Sequence, residues 1–271
     1  MYIGGSGKFI LVPPPFSSFF ENTPQDDVEN LSLYQINKLL QRNKNIAGIF
    51  LEPIMVNAGV YGFSPNYLKH LRKLCDDYQI SLVFDEIQTA FGWLGTYFAC
   101  QYFDVIPDLL TIGKGLAAGF PLSGVLMKKE YDVLDYGEDE YTYGGHPASC
   151  AAAIACLDLL TETAILEQVK KKSQVLKKMV LALQHKYSYI IDVRLFGLIC
   201  GIEFKNQDHQ NLANKVYDLC LKNGLLLRKT EDGRGSSLIL KPPIIVSKPD
   251  LEKAVDILDK VLCSISANGS I

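Results

Sequence analysis

The order of apolar and polar residues predicts an α/β protein: a partial, mostly parallel sheet flanked by helices, followed by a small α+β unit. Three observations carry this. Four short apolar runs, Ala47 to Leu51, Ser81 to Phe84, Leu109 to Ile112 and Leu122 to Met127, are set apart by helical or turn-rich segments, the pattern of buried parallel strands. Past Pro147 the texture changes to long helical stretches alternating with short strands. Finally, 271 residues that are 48% apolar and 21% charged suffice for one large domain or two modest ones with an ordinary core.

Taken in order, residues 1–45 read as an irregular N-terminal segment. Pro13, Pro14 and Pro15 stop regular structure, and Glu21 to Asn30 is polar and acidic; only Leu33 to Leu40 reads as a helix. Pro65 to Tyr78 has helical periodicity, with Ser64 as N-cap and Pro65 at the first helical position. Beyond Pro147 come helices over Ala148 to Leu160 and Ile165 to Tyr187, then strands over Ile190 to Leu195 and Leu198 to Phe204. A helix over Gln210 to Lys222 follows, then strands near Leu225 to Arg228 and Leu238 to Leu240, and a last helix over Pro249 to Leu262. Ser247 and Asp250 fit a capping box for that last helix. The boundary falls near residue 160, giving a large domain over 46–160 and a small one over 161–271.

The bulk properties exclude several classes. A net charge of −3 offers no basic field for nucleic acid. No apolar run has the length to span a bilayer. The start, MYIGGSGKFILVPPPF, lacks the order of a signal peptide, so a cytoplasmic location is the default expectation. The seven cysteines are odd in number and include no Cys-x-x-Cys pair, which favours reduced core thiols over disulfides or zinc.

Glu52, Asp85 and Lys114 each fall just past an apolar run, where open α/β sheets bind their ligands. Lys114, in TIGKGLAAGFPLSGV, has Gly113, Gly115 and Gly119 around it, and glycine lets backbone approach a bulky ligand. A lysine so placed is expected to be poorly solvated, which frees an amine to form a Schiff base. The alternative is a lysine whose stem packs at a strand end with its charge in water. Asp85, in FDEIQTAFGWLG, could be a helix N-cap, an ion-pair partner, or the acid that a pyridine-type cofactor needs beside its ring nitrogen.

Together these segments resemble the class III aminotransferases, the ornithine, 4-aminobutyrate and ω-amine group. Asp85-Glu86-Ile87-Gln88-Thr89 matches that family's Asp-Glu-(Val/Ile)-Gln-(Thr/Ser) motif, and Lys114 follows 29 positions after Asp85, the family spacing. Glu52-Pro53-Ile54 and Thr142-Tyr143-Gly144-Gly145-His146-Pro147 match two further motifs in order. The match runs from about Gly48 to the C-terminus. The resemblance implies the fold-type-I pyridoxal-phosphate transferase architecture. It makes Lys114 the Schiff-base lysine and proton shuttle, Asp85 the partner of the pyridinium, Ile87 a packing residue on the ring and Gln88 a hydrogen-bond partner near the phenolic oxygen. It gives Thr142 the phosphate, usually that of a neighbouring subunit, and hence implies a homodimer with composite sites. Glu52 has a supporting place. Read by themselves, Ile87 is core, Thr142 a turn residue, His146 a capping or packing residue, and Tyr143 has no assigned role.

Three departures from the family matter. Where α-amino-acid and 4-aminobutyrate branches carry a paired glutamate and arginine, this chain has Asn57 and Ile239, so that carboxylate clamp is absent. Arg228 matches an arginine that ω-amine-type members use on the keto acid's carboxylate, which implies an amine or ω-amino donor and a keto-acid acceptor; otherwise it is a solvated strand-end arginine. Trp93 and Ala90 stand where the family usually has arginine and glycine. Full-length members also have a longer N-terminal part, with a Gly-Ser/Thr loop at a helix N-terminus for the phosphate and an aromatic residue that stacks on the ring. Gly4 to Gly7 is not that loop, since KFILVPPP follows it. The expectation is therefore an N-terminally truncated member: a transaminase, a catalytically impaired fragment, or an aminomutase or racemase sharing the motifs.

Overall fold

The computed structural model describes residues 9–16, 23–135, 137–138, 141–205, 212–230 and 237–267. The glycines at Gly4 to Gly7 and the expected start of a helix at Gln210 lie outside them.

Helix α1 (Gln25–Arg42) follows Pro24 directly, with Asp26 and Asp27 in its first turn and Arg42 in its last, charges that suit the helix dipole. It begins well before Leu33. The acidic stretch read as irregular is a helix N-terminus whose polarity masks the periodicity. Strand β1 (Gly48–Leu51) leads into a hairpin of β2 (Ile54–Met55) and β3 (Tyr61–Gly62). Helix α2 (Pro65–Tyr78) has Pro65 in its first turn, and Ser64 Oγ accepts from the Tyr67 N–H at 3.0 Å. Its buried stripe, Tyr67, Leu68, Leu71 and Cys75, has helical spacing.

Strand β4 (Ser81–Asp85), the short helix α3 (Ala99–Phe103), β5 (Leu109–Ile112) and β6 (Gly124–Met127) complete the first sheet, ordered β1-β4-β5-β6. The first three strands run parallel. The last does not: β6 is antiparallel to β5, and Val125, Leu126 and Met127 are exposed. This corrects the reading of Leu122 to Met127 as a buried parallel strand. A parallel return needs a crossover, usually a helix, and the link here holds only one 3-10 turn, Lys114–Ala117.

Helices α4 (Pro147–Glu162) and α5 (Ile165–Lys186) precede β7 (Ile190–Phe196) and β8 (Ile199–Phe204). Helix α6 (Leu212–Lys222), β9 (Arg228–Lys229), β10 (Ser237–Leu240) and α7 (Lys248–Ala267) follow. The second sheet, β7-β8-β10-β9, is antiparallel throughout. Leu176, Val180, Ile202, Leu238 and Leu258 are fully buried between it and the helices. Ser247 Oγ accepts from the Asp250 N–H at 3.2 Å and lies 2.6 Å from its carboxylate, capping α7. All seven cysteines are free; Cys75, Cys200 and Cys220 are buried and Cys263 is exposed.

The two sheets meet at the β2–β3 hairpin. Arg194 Nε donates to the Gly59 carbonyl at 2.9 Å, and its guanidinium lies 3.9 Å from the Tyr61 ring centroid. Gly197 has φ +58°, and a Cβ there would stand 2.2 Å from the Trp93 carbonyl oxygen. Only glycine lets the β7–β8 turn press against the segment after Asp85.

Candidate active site

Strands β4 and β5 run side by side, with Asp85 in register with Thr111, so both chains leave the sheet at the same edge. After Gly113, Lys114 takes φ +44°, a left-handed conformation that costs a non-glycine residue energy and is retained mostly where function or packing requires it. Ala118 at φ +48° and Gly119 at φ +108° finish the reversal. Helix α4 packs against this turn.

Lys114 is exposed. The desolvation expected of it is absent, because the turn opens outward and a Cβ built on Gly119 would meet nothing within 4 Å. Among the described residues no hydrogen bond or ion pair engages its amine. The strained backbone at the strand edge, rather than burial, sets this lysine apart.

Asp85 is partly buried, and its Oδ1 accepts from the Ile87 N–H at 3.0 Å. Beside it, the Thr111 hydroxyl oxygen is buried with no partner among the described residues. Burial pushes the Glu52 carboxyl above its ordinary range; the Asp85 charge adds to this and Lys114 opposes it. Glu52 therefore feels the charges of both Asp85 and Lys114. Ile87 faces Gly113: a Cβ on that glycine would sit 3.8 Å from its γ carbons.

Gln88 is buried, and its Nε2 donates to Asn57 Oδ1 at 2.8 Å. Arg228 Nη2 donates to the same oxygen at 3.0 Å. Ile239 is buried inside β10. Thr142 stands on an exposed turn and makes no hydrogen bond to Lys114, Asp85 or Gln88. His146 caps α4, its Nδ1 accepting from the Ser149 N–H at 3.4 Å. Among the described residues no three His, Cys, Asp or Glu side chains converge as a metal site.

Two residues of this neighbourhood escaped the sequence reading. Glu86 is fully buried and accepts from the Ala99 N–H, the Cys100 N–H at 2.8 Å and the Thr89 hydroxyl at 3.2 Å. The signal was available: Leu82, Phe84 and Glu86 continue one strand alternation, which turns Glu86 inward and Asp85 out. Lys241 gave no such signal. Its Nζ donates to the Gln88 carbonyl at 2.7 Å and Oε1 at 3.3 Å, and lies 4.4 Å from the Trp93 ring centroid. Burial, then the charges of Lys114 and Arg228, hold its ammonium down to about 8.

The family model for class-III aminotransferases matches residues 5–262. The chain belongs to the class-III aminotransferases. An acetylornithine aminotransferase of Caldanaerobacter subterraneus is 32% identical over 251 residues, 93% of this class-III chain and 60% of that relative. The solved acetylornithine aminotransferase of Elizabethkingia anophelis superposes with a TM-score of 0.79 at 31% identity, over 86% of this chain and 58% of the other. The taurine:2-oxoglutarate aminotransferase of Bifidobacterium kashiwanohense, solved with PLP and glutamate, superposes at 0.83 with 26% identity, over 94% and 60%. The expected α/β fold is thus the fold of these enzymes, and this class-III chain spans about three fifths of their length.

Proposed function

We propose that the protein is a pyridoxal-phosphate-dependent transaminase that moves an amino group from an amine or ω-amino donor to a keto acid, with Lys114 as the residue that links to the cofactor. The carrying observation is the placement of Lys114, Asp85 and Glu52 at one sheet edge within electrostatic reach. The residues present fit the ring of the cofactor: an available amine, a carboxylate, an unmatched buried hydroxyl on Thr111 and an apolar Ile87 side chain lying over glycine.

When bound, pyridoxal phosphate supplies an aldehyde for an amine and a conjugated electron sink. Asp85 holds a proton at the ring nitrogen, and its bond from the Ile87 N–H fixes the carboxylate's orientation. Ile87 packs on the ring face, and Gln88, fixed by Asn57 and Lys241, presents its amide toward the phenolic oxygen. Lys114 moves the proton at the donor carbon, acting as general base and then acid. Thr142, exposed on its turn, is proposed to hold the phosphate of a neighbouring copy, which makes the working unit a homodimer with composite sites in the cytoplasm. Arg228 is proposed to hold the keto acid's carboxylate. The names of the acetylornithine relatives agree with this donor class, since acetylornithine carries a primary amine at the end of its side chain. The division into 46–160 and 161–271 is proposed on the cores: Ala153 and Leu160 pack with Leu110 and Ile112, whereas Val169 and Leu176 pack with the second sheet.

The test is to mix the chain with pyridoxal phosphate, follow the visible band, reduce with borohydride and locate the adduct by peptide mass spectrometry. A stable label on Lys114, lost in Lys114→Ala, together with amino-acid product from a keto acid, is expected. No adduct at saturating cofactor would mean a catalytically impaired fragment. An isomerised or racemised donor without keto-acid amination would indicate an aminomutase or racemase.

A further inference from the structure

Lys241 follows β10 directly and reaches the site from the second sheet. Its ammonium is partly buried above Trp93. Among the described residues no carboxylate pairs with it, yet Lys114 and Arg228 bring like charge to it. A partly buried cation among cations is costly unless something compensates it. We propose that Lys241 is a carboxylate-binding residue of the substrate site and determines specificity beside Arg228. This rests on the substrate site proposed above.

The hydrogen bonds favour that role over a purely structural one. An ammonium has three donors. The bond to the Gln88 carbonyl, at 2.7 Å, is short and anchors the side chain. The bond to Gln88 Oε1, at 3.3 Å, is long and exchangeable. A carboxylate arriving over Trp93 takes the exchangeable donor and any donor not directed at Gln88, and it offsets the charges of Lys114 and Arg228. Burial and those two cations hold Lys241 near 8, so it remains mostly charged at neutral pH. The phosphate of the cofactor is the other anion at hand, and it is one arm of the test.

Trp93 is the protein's one tryptophan and lies 4.4 Å below the Lys241 amine, so its fluorescence reports on this position directly. The cofactor-free chain is titrated with glutarate, with inorganic phosphate and with the uncharged glutaramide. The same titrations are run on Lys241→Met and on Lys241→Gln, which is neutral but can still bond the Gln88 carbonyl. Saturable binding of glutarate is expected, with phosphate weaker and glutaramide inert. Both variants should bind glutarate about tenfold more weakly or worse, the loss of one charge-assisted hydrogen bond. Glutarate binding unchanged in a folded variant, glutaramide binding as well as glutarate, or phosphate binding more tightly would overturn the proposal. The borohydride label on Lys114 is measured on the same preparations. Its absence counts against the cofactor reading alone, while unchanged glutarate binding counts against Lys241 alone.

Discussion

Glu86 offers the sharpest test of how the strand edge is held. Its carboxylate takes the N–H groups of Ala99 and Cys100, the first donors of α3, and the hydroxyl of Thr89. Helix-terminal N–H groups have no partner within their helix, and these two are met inside the protein. Glu86→Ala leaves both without an acceptor, at about 1–3 kcal/mol each. Burial already pushes the Glu86 carboxyl above its ordinary range, against the pull of the Ala99 and Cys100 amides. Removing the acid returns part of that desolvation cost, so the net loss is about 3 kcal/mol, a large share of a typical domain's stability. Glu86→Gln keeps one acceptor and turns an NH2 group toward the other N–H, so it should cost about half as much. Urea unfolding followed by circular dichroism measures this, with an expected midpoint shift of about 1 M for the alanine variant. Trp93 lies in the segment that joins Glu86 to α3, and its emission should change even without denaturant. A midpoint within about 0.3 M of the parent and unchanged Trp93 emission would refute this account of the turn.

Two further outcomes concern pH. Burial pushes Asp108 up, but Lys128, the Leu82 N–H and Arg72 overcome it and hold the carboxyl below its ordinary range. A carboxyl that binds its proton more weakly in the folded state lends stability above the ordinary carboxylate range and loses it as pH falls through its folded value. Urea midpoints between pH 7 and pH 3 should therefore fall more steeply in the parent than in Asp108→Asn. That variant weakens one of Arg72's two carboxylate contacts while Asp76 keeps the other, so it should itself cost about 1–2 kcal/mol. Lys241 shows the same sign in a higher pH window: its folded value near 8 lies below the ordinary lysine range, so the charge that burial penalises is shed in the fold first, and stability grows as pH rises from about 8 toward 10.5. Trp93 fluorescence should titrate with a midpoint near 8, and Lys241→Met should remove that titration; a midpoint near 10.5 would contradict the burial of the amine.

The parts of the fold that depend on local sequence were legible. Ser64-Pro65 marked the start of α2, and short apolar runs placed β4 and β5 within a residue. Because ligand-binding edges form where such runs end, Glu52, Asp85 and Lys114 could be grouped before their contacts were known. What depends on partners distant in sequence was not legible. The direction of β6 is set by how its link closes, and nothing in its own composition encodes that. The exposure of Lys114 depends on which way a left-handed turn opens. Arg228 and Asn57 are 171 positions apart, and Lys241 and Gln88 are 153 apart, so no periodicity joins them. The motif residues pointed to the proposed chemistry, whereas the contacts that hold Gln88 come from the hairpin and from Lys241 after β10.

Asn57 is where those two sources meet, and its neutrality is informative. Its Oδ1 accepts from both Gln88 and Arg228, which uses both of the lone pairs an amide oxygen offers. An acid at this position would form an ion pair with Arg228 and draw that guanidinium away from any incoming carboxylate. With asparagine, Arg228 is held by a hydrogen bond rather than by an ion pair at this position. Asn57→Asp should therefore weaken glutarate binding. Arg228 is exposed, and an exposed pair contributes about 0.2–1 kcal/mol, so the effect should be about 1.4- to fivefold, and smaller in high salt. The fluorescence titration that reads Lys241 reads this as well. Tighter binding in Asn57→Asp would mean that Arg228 serves only to position Gln88 through Asn57, and the recognition of a carboxylate would then fall to Lys241 alone.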